Sequence, residues 1–242
     1  MSVQTDMKDE WVQYLLLPSL VFALVMGLLE WSQGDLLLAD GLYRLQSATD
    51  GWPLRDSFWA KTVMHKGGHD FVVILAVGLL ITCGLSVKRE SLKEIRPGLI
   101  YLLSCFVLTV LIVGALKAVT HVNCPWDLLR YGGSEPYIPT FESLPDGVKP
   151  GRCFPGGHAA GGYGWVALFF FAKVYRPGLR WWGLAGALLL GVSFDVAQQL
   201  RGAHFVSHGL WSLMIAWWVA SLGYLLWFRR YLQPGLDVPD NH

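Results

Sequence analysis

Charge is scarce in this sequence. Asp, Glu, Lys and Arg make up 15% of the residues, and the formal net charge is +1. Soluble chains carry about a quarter charged residues. A near-neutral chain lacks the basic surface that nucleic acid requires, so no nucleic-acid partner is expected. Cysteine is also scarce, four in 242 residues, which excludes a disulfide-dense secreted scaffold. Internal repeats and low-complexity tracts are missing. A cleavable leader is not expected either. The first apolar run, residues 11–31, is too long for a signal-peptide core and lacks a small-residue cleavage site.

Hydrophobic residues are abundant at 53%, and there are twelve Trp. Long apolar runs with interfacial aromatics predict an all-α, polytopic membrane protein forming a single domain over residues 1–242. Six transmembrane helices are expected: residues 11–31 with a kink at Pro18, 71–87, 97 or 98 to about 120, 158–175, 181–200 and about 205–228. Residues 1–10 and the chain after Arg230 read as polar tails. In residues 32–70, Leu36, Leu37, Leu38, Leu42 and Tyr43 alternate with polar residues, which suits a helix lying in the membrane interface. Residues 121–157 form a long loop rich in Pro and Gly between the third and fourth helices. A loop of that length usually carries function.

Basic residues set the orientation. Lys88, Arg89, Lys93 and Arg96, then Lys173, Arg176 and Arg180, then Arg229 and Arg230 all fall on one side of a six-span chain. The positive-inside rule makes that side the cytoplasm, with both termini there and a bacterial inner membrane as the location. Lys117, His158, Arg201 and His204 then meet at the opposite, periplasmic face. Ionisable groups at membrane depth are costly and point to function. The stretch Cys153-Phe154-Pro155-Gly156-Gly157-His158 is a glycine turn feeding a helix. Such a turn aims backbone N–H groups at one spot and favours an anion there.

These residues resemble the type-2 phosphatidic acid phosphatase family, whose pattern is Lys-x6-Arg-Pro, Pro-Ser-Gly-His and Ser-Arg-x5-His-x3-Asp. The first part is matched by Lys117 followed by Cys124-Pro125, and the second by Pro155-Gly156-Gly157-His158. The third is matched by the run from Gln198 through Arg201, Gly202 and His204 to His208. The resemblance implies a membrane lipid phosphatase acting without a cofactor or metal. His204 would attack phosphorus to give a phosphohistidine, and His158 would protonate the leaving oxygen. Lys117, Arg201, Gly156 and Gly157 would hold the phosphoryl oxygens. Three positions depart from the pattern: Cys124 replaces an Arg, Gln198 replaces an Arg, and His208 replaces the Asp that orients the nucleophile. Arg201 lies one helical turn beyond Gln198 and can supply the lost guanidinium. Arg130 or Arg152 can stand in for the Arg lost at Cys124, with Arg152 favoured by its place beside the glycine turn. A neutral His208 can accept a hydrogen bond. Asp195 has two readings, a stand-in for the orienting carboxylate or a paired structural Asp.

Cys124 and Cys153 flank the outward loop, where an oxidising compartment predicts a disulfide between them. His65 and His69, four apart and followed by Asp70, have metal-ligand spacing. They lack a third convergent ligand, so no metal is assigned. A site at the outer membrane boundary suits a lipid phosphate: lipid A phosphate, undecaprenyl pyrophosphate, phosphatidylglycerol phosphate or phosphatidic acid. The alternatives are transfer of the phosphoryl group to another acceptor, and a non-catalytic lipid-phosphate binding or transport protein.

Overall fold

The computed structural model describes residues 2–49 and 51–232; the polar tail after residue 232 lies outside the described residues. The chain is helical, with no strand among the described residues. Helices α1 (Ser2–Trp11) and α2 (Leu17–Trp31) are joined through a π-helical turn, Val12–Leu16, into one continuous rod. The expected N-terminal polar tail is therefore helical. Its Glu10 accepts hydrogen bonds from Lys173 Nζ and from Tyr224 Oη (2.8 Å), and Lys173 also donates to Tyr14 Oη at 2.9 Å. Pro18 has no N–H to offer the carbonyl one turn back, that of Tyr14. That carbonyl accepts from the Trp217 indole N–H at 2.7 Å. Proline thus makes a tertiary tie where the sequence predicts only a kink.

Helix α3 (Gly34–Leu45) is the element expected in the interface. Helix α4 (Gly68–Lys88) follows a π-helical segment, Phe58–Gly67. The second helix is therefore longer at its N-terminus than the predicted 71–87. Ser57 starts it, its Oγ accepting from the Ala60 N–H at 3.3 Å. Gly67 and Gly68 keep right-handed helical backbone. Helix α5 (Arg96–Val119) carries Pro97 in its first turn, where a missing N–H costs nothing. Helices α6 (Gly157–Tyr163) and α7 (Leu168–Tyr175) are separated by a 3-10 turn, Gly164–Ala167. Helices α8 (Arg180–Leu200) and α9 (Val206–Leu226) complete the bundle.

Five helices are long and apolar enough to cross a membrane: Met7–Trp31, Phe58–Lys88, Arg96–Val119, Pro177–Leu200 and Val206–Leu226. The run from Gly157 to Tyr175, expected as a further span, is helical but broken by its 3-10 turn, and it forms the centre of the bundle. Ala159, Val166, Ala167 and Phe170 on it are fully buried. Its closest neighbour is α8, met glycine to glycine: a Cβ on Gly162 would lie 2.5 Å from Gly191 Cα. Small residues at a crossing let helix backbones touch, which is how helices associate in lipid. The outer faces are apolar, with Leu20, Leu24, Ile74, Ile81, Leu111 and Leu189 all exposed. Apolar surface on this scale has no place in water.

Candidate active site

Three parts of the chain converge at one end of the bundle: the end of α5, the start of α6 and the α8–α9 connection. Lys117, in the last turn of α5, donates from Nζ to the Pro155 carbonyl at 3.1 Å. One turn along the chain, Thr120 Oγ1 donates to the Phe154 carbonyl at 2.8 Å. The peptide between Phe154 and Pro155 is cis. The glycine turn is thereby tied to α5. It is also tied to α9, because the Gly156 N–H donates to the His208 carbonyl at 3.0 Å and Ser212 Oγ donates to the Gly156 carbonyl at 2.9 Å. The Gly156 N–H is thus committed to the fold. The N–H groups of Gly157 and His158 stand in the first helical turn, where no helical carbonyl precedes them. Gly157 packs against Lys117, whose Nζ would lie 3.9 Å from a Cβ at that position. On His158, Nε2 donates to the Met64 carbonyl at 2.9 Å, which leaves Nδ1 for other work.

The α8–α9 connection is shaped by Gly202. It has φ of +70° and lies flat on Trp52, whose ring a Cβ would approach to 2.4 Å. No other residue combines that backbone with that contact. Arg201, just before it, is buried and keeps helical backbone beyond the end of α8. Its Nη1 donates to Gln198 Oε1 at 3.1 Å, so the two residues share one helix face as the one-turn spacing predicts. Its Nε donates to the Arg55 carbonyl at 2.8 Å. Arg55 and Arg201 both lie over Trp126, at 4.2 and 5.8 Å from the ring centre.

His204 follows. It is 8% exposed, and its Nδ1 lies 3.2 Å from His208 Nδ1. His208 therefore stands within hydrogen-bond distance of His204. Its Nε2 is buried with no partner among the described residues. Burial, and after it the neighbouring His208, Lys117 and His158, pushes the His204 imidazole well below the usual histidine range. A neutral imidazole whose Nδ1 is engaged presents Nε2 as a nucleophile.

Asp195 makes no bond to either histidine. It packs against the backbone of Gly209 and accepts from Gln199 Nε2 at 2.9 Å, and its other oxygen is buried without a partner. Arg152 is exposed, with no side-chain bond to the site among the described residues. Arg130 points elsewhere, forking onto Asp40 with Nε at 2.7 Å. Cys124 and Cys153 lie with Cα atoms 5.2 Å apart and sulfurs at bonding distance. They are aligned by the Gly151 N–H donating to the His121 carbonyl and the Cys153 N–H donating to the Val122 carbonyl, each at 3.0 Å. Asp127 completes a close cluster with the two cysteines, its Oδ2 accepting from the Cys124 N–H at 3.2 Å. Sequence reasoning missed the Met64 carbonyl and Arg55, and it set His65 aside. The His65–His69 spacing was the available signal for His65; nothing local marks the other two.

The PAP2 superfamily model matches residues 98–232, from the start of α5 to just beyond α9. The chain belongs to the PAP2 superfamily. No curated protein and no solved structure matches it. The general activity of PAP2 proteins is phosphatase chemistry on phosphate esters. In this PAP2 chain the matched region holds Lys117, His158, Arg201, His204 and His208 together, while Arg55, Met64 and His65 come from outside it.

Proposed function

We propose that this PAP2 protein is a membrane lipid phosphatase that hydrolyses a phosphate monoester or diphosphate at the periplasmic face through a phosphohistidine. The observation that carries the reading is His204, buried and neutral, with its Nδ1 on His208 and Lys117 and His158 as neighbours. In the first step His204 Nε2 forms a bond to phosphorus as the ester oxygen departs, taking the Nδ1 proton of a His158 that enters the step as imidazolium and keeps its Nε2–H on the Met64 carbonyl. In the second, water attacks phosphorus, the N–P bond breaks, and His158 accepts the water's proton. Lys117, Arg201 and the N–H groups of Gly157 and His158 stabilise the charge on the phosphoryl oxygens. Cys124 and Cys153, joined as a disulfide, hold the outer loop over this site.

The lipid nature of the substrate is supported by a cleft of about 330 Å³ between α4, α5 and α6. One end carries His65, His69, Gly157 and His158; the rest is walled by Val72, Val73, Ala76, Phe106 and Val110. A phosphate headgroup beside His158 would lead its hydrocarbon chain into that cleft. The sixth span is the run from Gly157 to Tyr175. At about 1.5 Å per residue it nearly matches a hydrocarbon core of about 30 Å.

The test is phosphate release from a panel of lipid phosphates and diphosphates by the purified chain. Wild type should release phosphate, His204→Ala should release none, and His158→Ala and Arg201→Ala should be slowed by about 100-fold or more. Full activity in His204→Ala would remove the nucleophile assignment. No release from any lipid would favour a binding or transport role.

A further inference from the structure

His65 is not part of the family-like motifs, and its spacing from His69 suggested only a weak metal pair. The structure gives it a different setting. Its ring centre lies 4.9 Å from that of His158, and its Nδ1 lies 3.2 Å from Gln198 Nε2. Gln198 in turn meets Arg201 Nη1 at 3.1 Å.

The direction of this chain of hydrogen bonds follows from one fact. A guanidinium has donors only. Gln198 must therefore present its oxygen to Arg201 and its NH2 group to His65, so His65 Nδ1 must accept. A histidine that accepts at Nδ1 is neutral and carries its proton on Nε2. If Nδ1 were protonated, two donors would face each other, or the Gln198 amide would flip and turn its NH2 group onto Arg201. Gln198 is buried, 3% exposed, so water does not readily replace a lost partner.

The residue before His65 grips the other side of the site. Met64 offers its carbonyl to His158 Nε2 at 2.9 Å. Both residues sit in the π-helical segment Phe58–Gly67, and π turns inside helices recur at functional sites. The close approach is made possible by Gly68, where a Cβ would fall 2.6 Å from the Phe194 ring and 3.2 Å from His158 Nε2. Consecutive residues of one wide turn thus fix two groups that come from different helices, His158 of α6 and Arg201 after α8.

We propose that His65 is a positioning residue of the phosphate site: by accepting from Gln198 it fixes the amide that holds Arg201, while Met64 beside it fixes the tautomer of His158. The proposal rests on the phosphatase reading for its kinetic consequence, but not for the hydrogen-bond direction itself. It also explains how position 198 works with Gln. The amide links Arg201, one turn further on, to a histidine from another helix.

The test combines kinetics with a tautomer measurement on the full chain in detergent, using a short-chain lipid phosphate as substrate. His65→Asn places a carbonyl oxygen near the position of Nδ1 and should keep kcat/KM within about twofold of wild type. His65→Leu and Gln198→Leu should each lower kcat/KM by roughly tenfold, the cost of one hydrogen bond supporting a charged group. The double variant should fall no further than Gln198→Leu, because that change already removes the link through which His65 acts. Additive losses, or a His65→Asn variant as impaired as His65→Leu, would overturn the proposal. In wild type, nitrogen NMR of labelled histidine should find His65 unprotonated at Nδ1, with a hydrogen-bond shift that disappears in Gln198→Leu. A protonated Nδ1 would overturn it without any activity measurement. A wild-type chain inert toward every phosphate ester would defeat the phosphatase reading, and the tautomer signal alone would then decide the role of His65.

Discussion

At the residue scale, the decisive pair is His204 and His208. A phosphorylated imidazole is cationic, and a carboxylate at position 208 would offset that charge, whereas a neutral imidazole only accepts a hydrogen bond. Asp in place of His208 would set an oxygen near the present Nδ1, 3.2 Å from His204 Nδ1. His208→Asp is therefore expected to raise the rate of phosphohistidine formation. His208→Leu should lower kcat by about 100-fold, since His204 Nδ1 then loses its side-chain partner; rapid-quench measurement of the labelled intermediate reads both. His204 also makes stability depend on pH. Its folded-state value lies below the ordinary one, chiefly through burial, while the unfolded value is about 6.5. The unfolded state thus binds more protons as pH falls. The contribution to stability is fully present above about pH 6.5 and is lost as pH drops toward the folded value. Melting curves should show wild type losing stability below that point more steeply than His204→Gln. Equal slopes would count against a buried neutral His204.

At the element scale, α3 has a job that its amphipathic pattern does not announce. Helix α9 begins after Phe205, which has no capping side chain. Asp35 of α3 takes over that function, accepting from the Ser207 N–H at 3.0 Å and from Ser207 Oγ. Asp40, five residues on, accepts from Tyr131 Oη at 2.9 Å and pairs with Arg130, whose hydrogen bonds hold the carboxyl below the usual carboxylate range. Helix α3 is thus fastened to the helix that carries His208 and to the loop that follows α5. Asp35→Ala should cost about 1 to 2 kcal/mol, as loss of a helix cap does. It should also lower kcat, because the first turn of α9 carries His208. An unchanged melting temperature with unchanged kcat would show that α3 is a passenger.

At the scale of the whole molecule, the site lies at one end of the bundle and the Glu10, Lys173, Tyr224 and Arg229 cluster lies among its other helix ends. The apolar cleft joins the histidines to the flanks of α4 and α5. Gly161 lines it and faces Val72, 3.5 Å from where a Cβ would stand. Gly161→Leu would fill the part of the cleft beside Val72. It should reduce turnover of long-chain lipid phosphates by about tenfold or more relative to a short-chain analogue, the discrimination expected from blocking a few methylenes. Equal losses on both substrates would assign the cleft a purely structural role.

The order of the helices, the apolar character of the bundle and the meeting of Lys117, His158 and His204 at one end were legible in the sequence because each rests on local pattern. Apolar runs of spanning length mark α2, α4, α5, α8 and α9. A glycine turn before an apolar run marks the start of α6, and fixed spacings mark Lys117, His158 and His204. The long second helix was not legible, since the apolar run begins only at Phe71, after Gly67-Gly68 and the polar residues around His65. Nor was the division of labour among carboxylates. Asp195 and Asp35 are both acidic residues near the third motif in space. Only packing decides that one lies against Gly209 and the other caps α9. The Met64 carbonyl has no sequence signature at all, because any residue supplies one. What reached His158 and Arg201 from outside the motifs was set by which helices pack together, a long-range outcome of burial that no local pattern encodes.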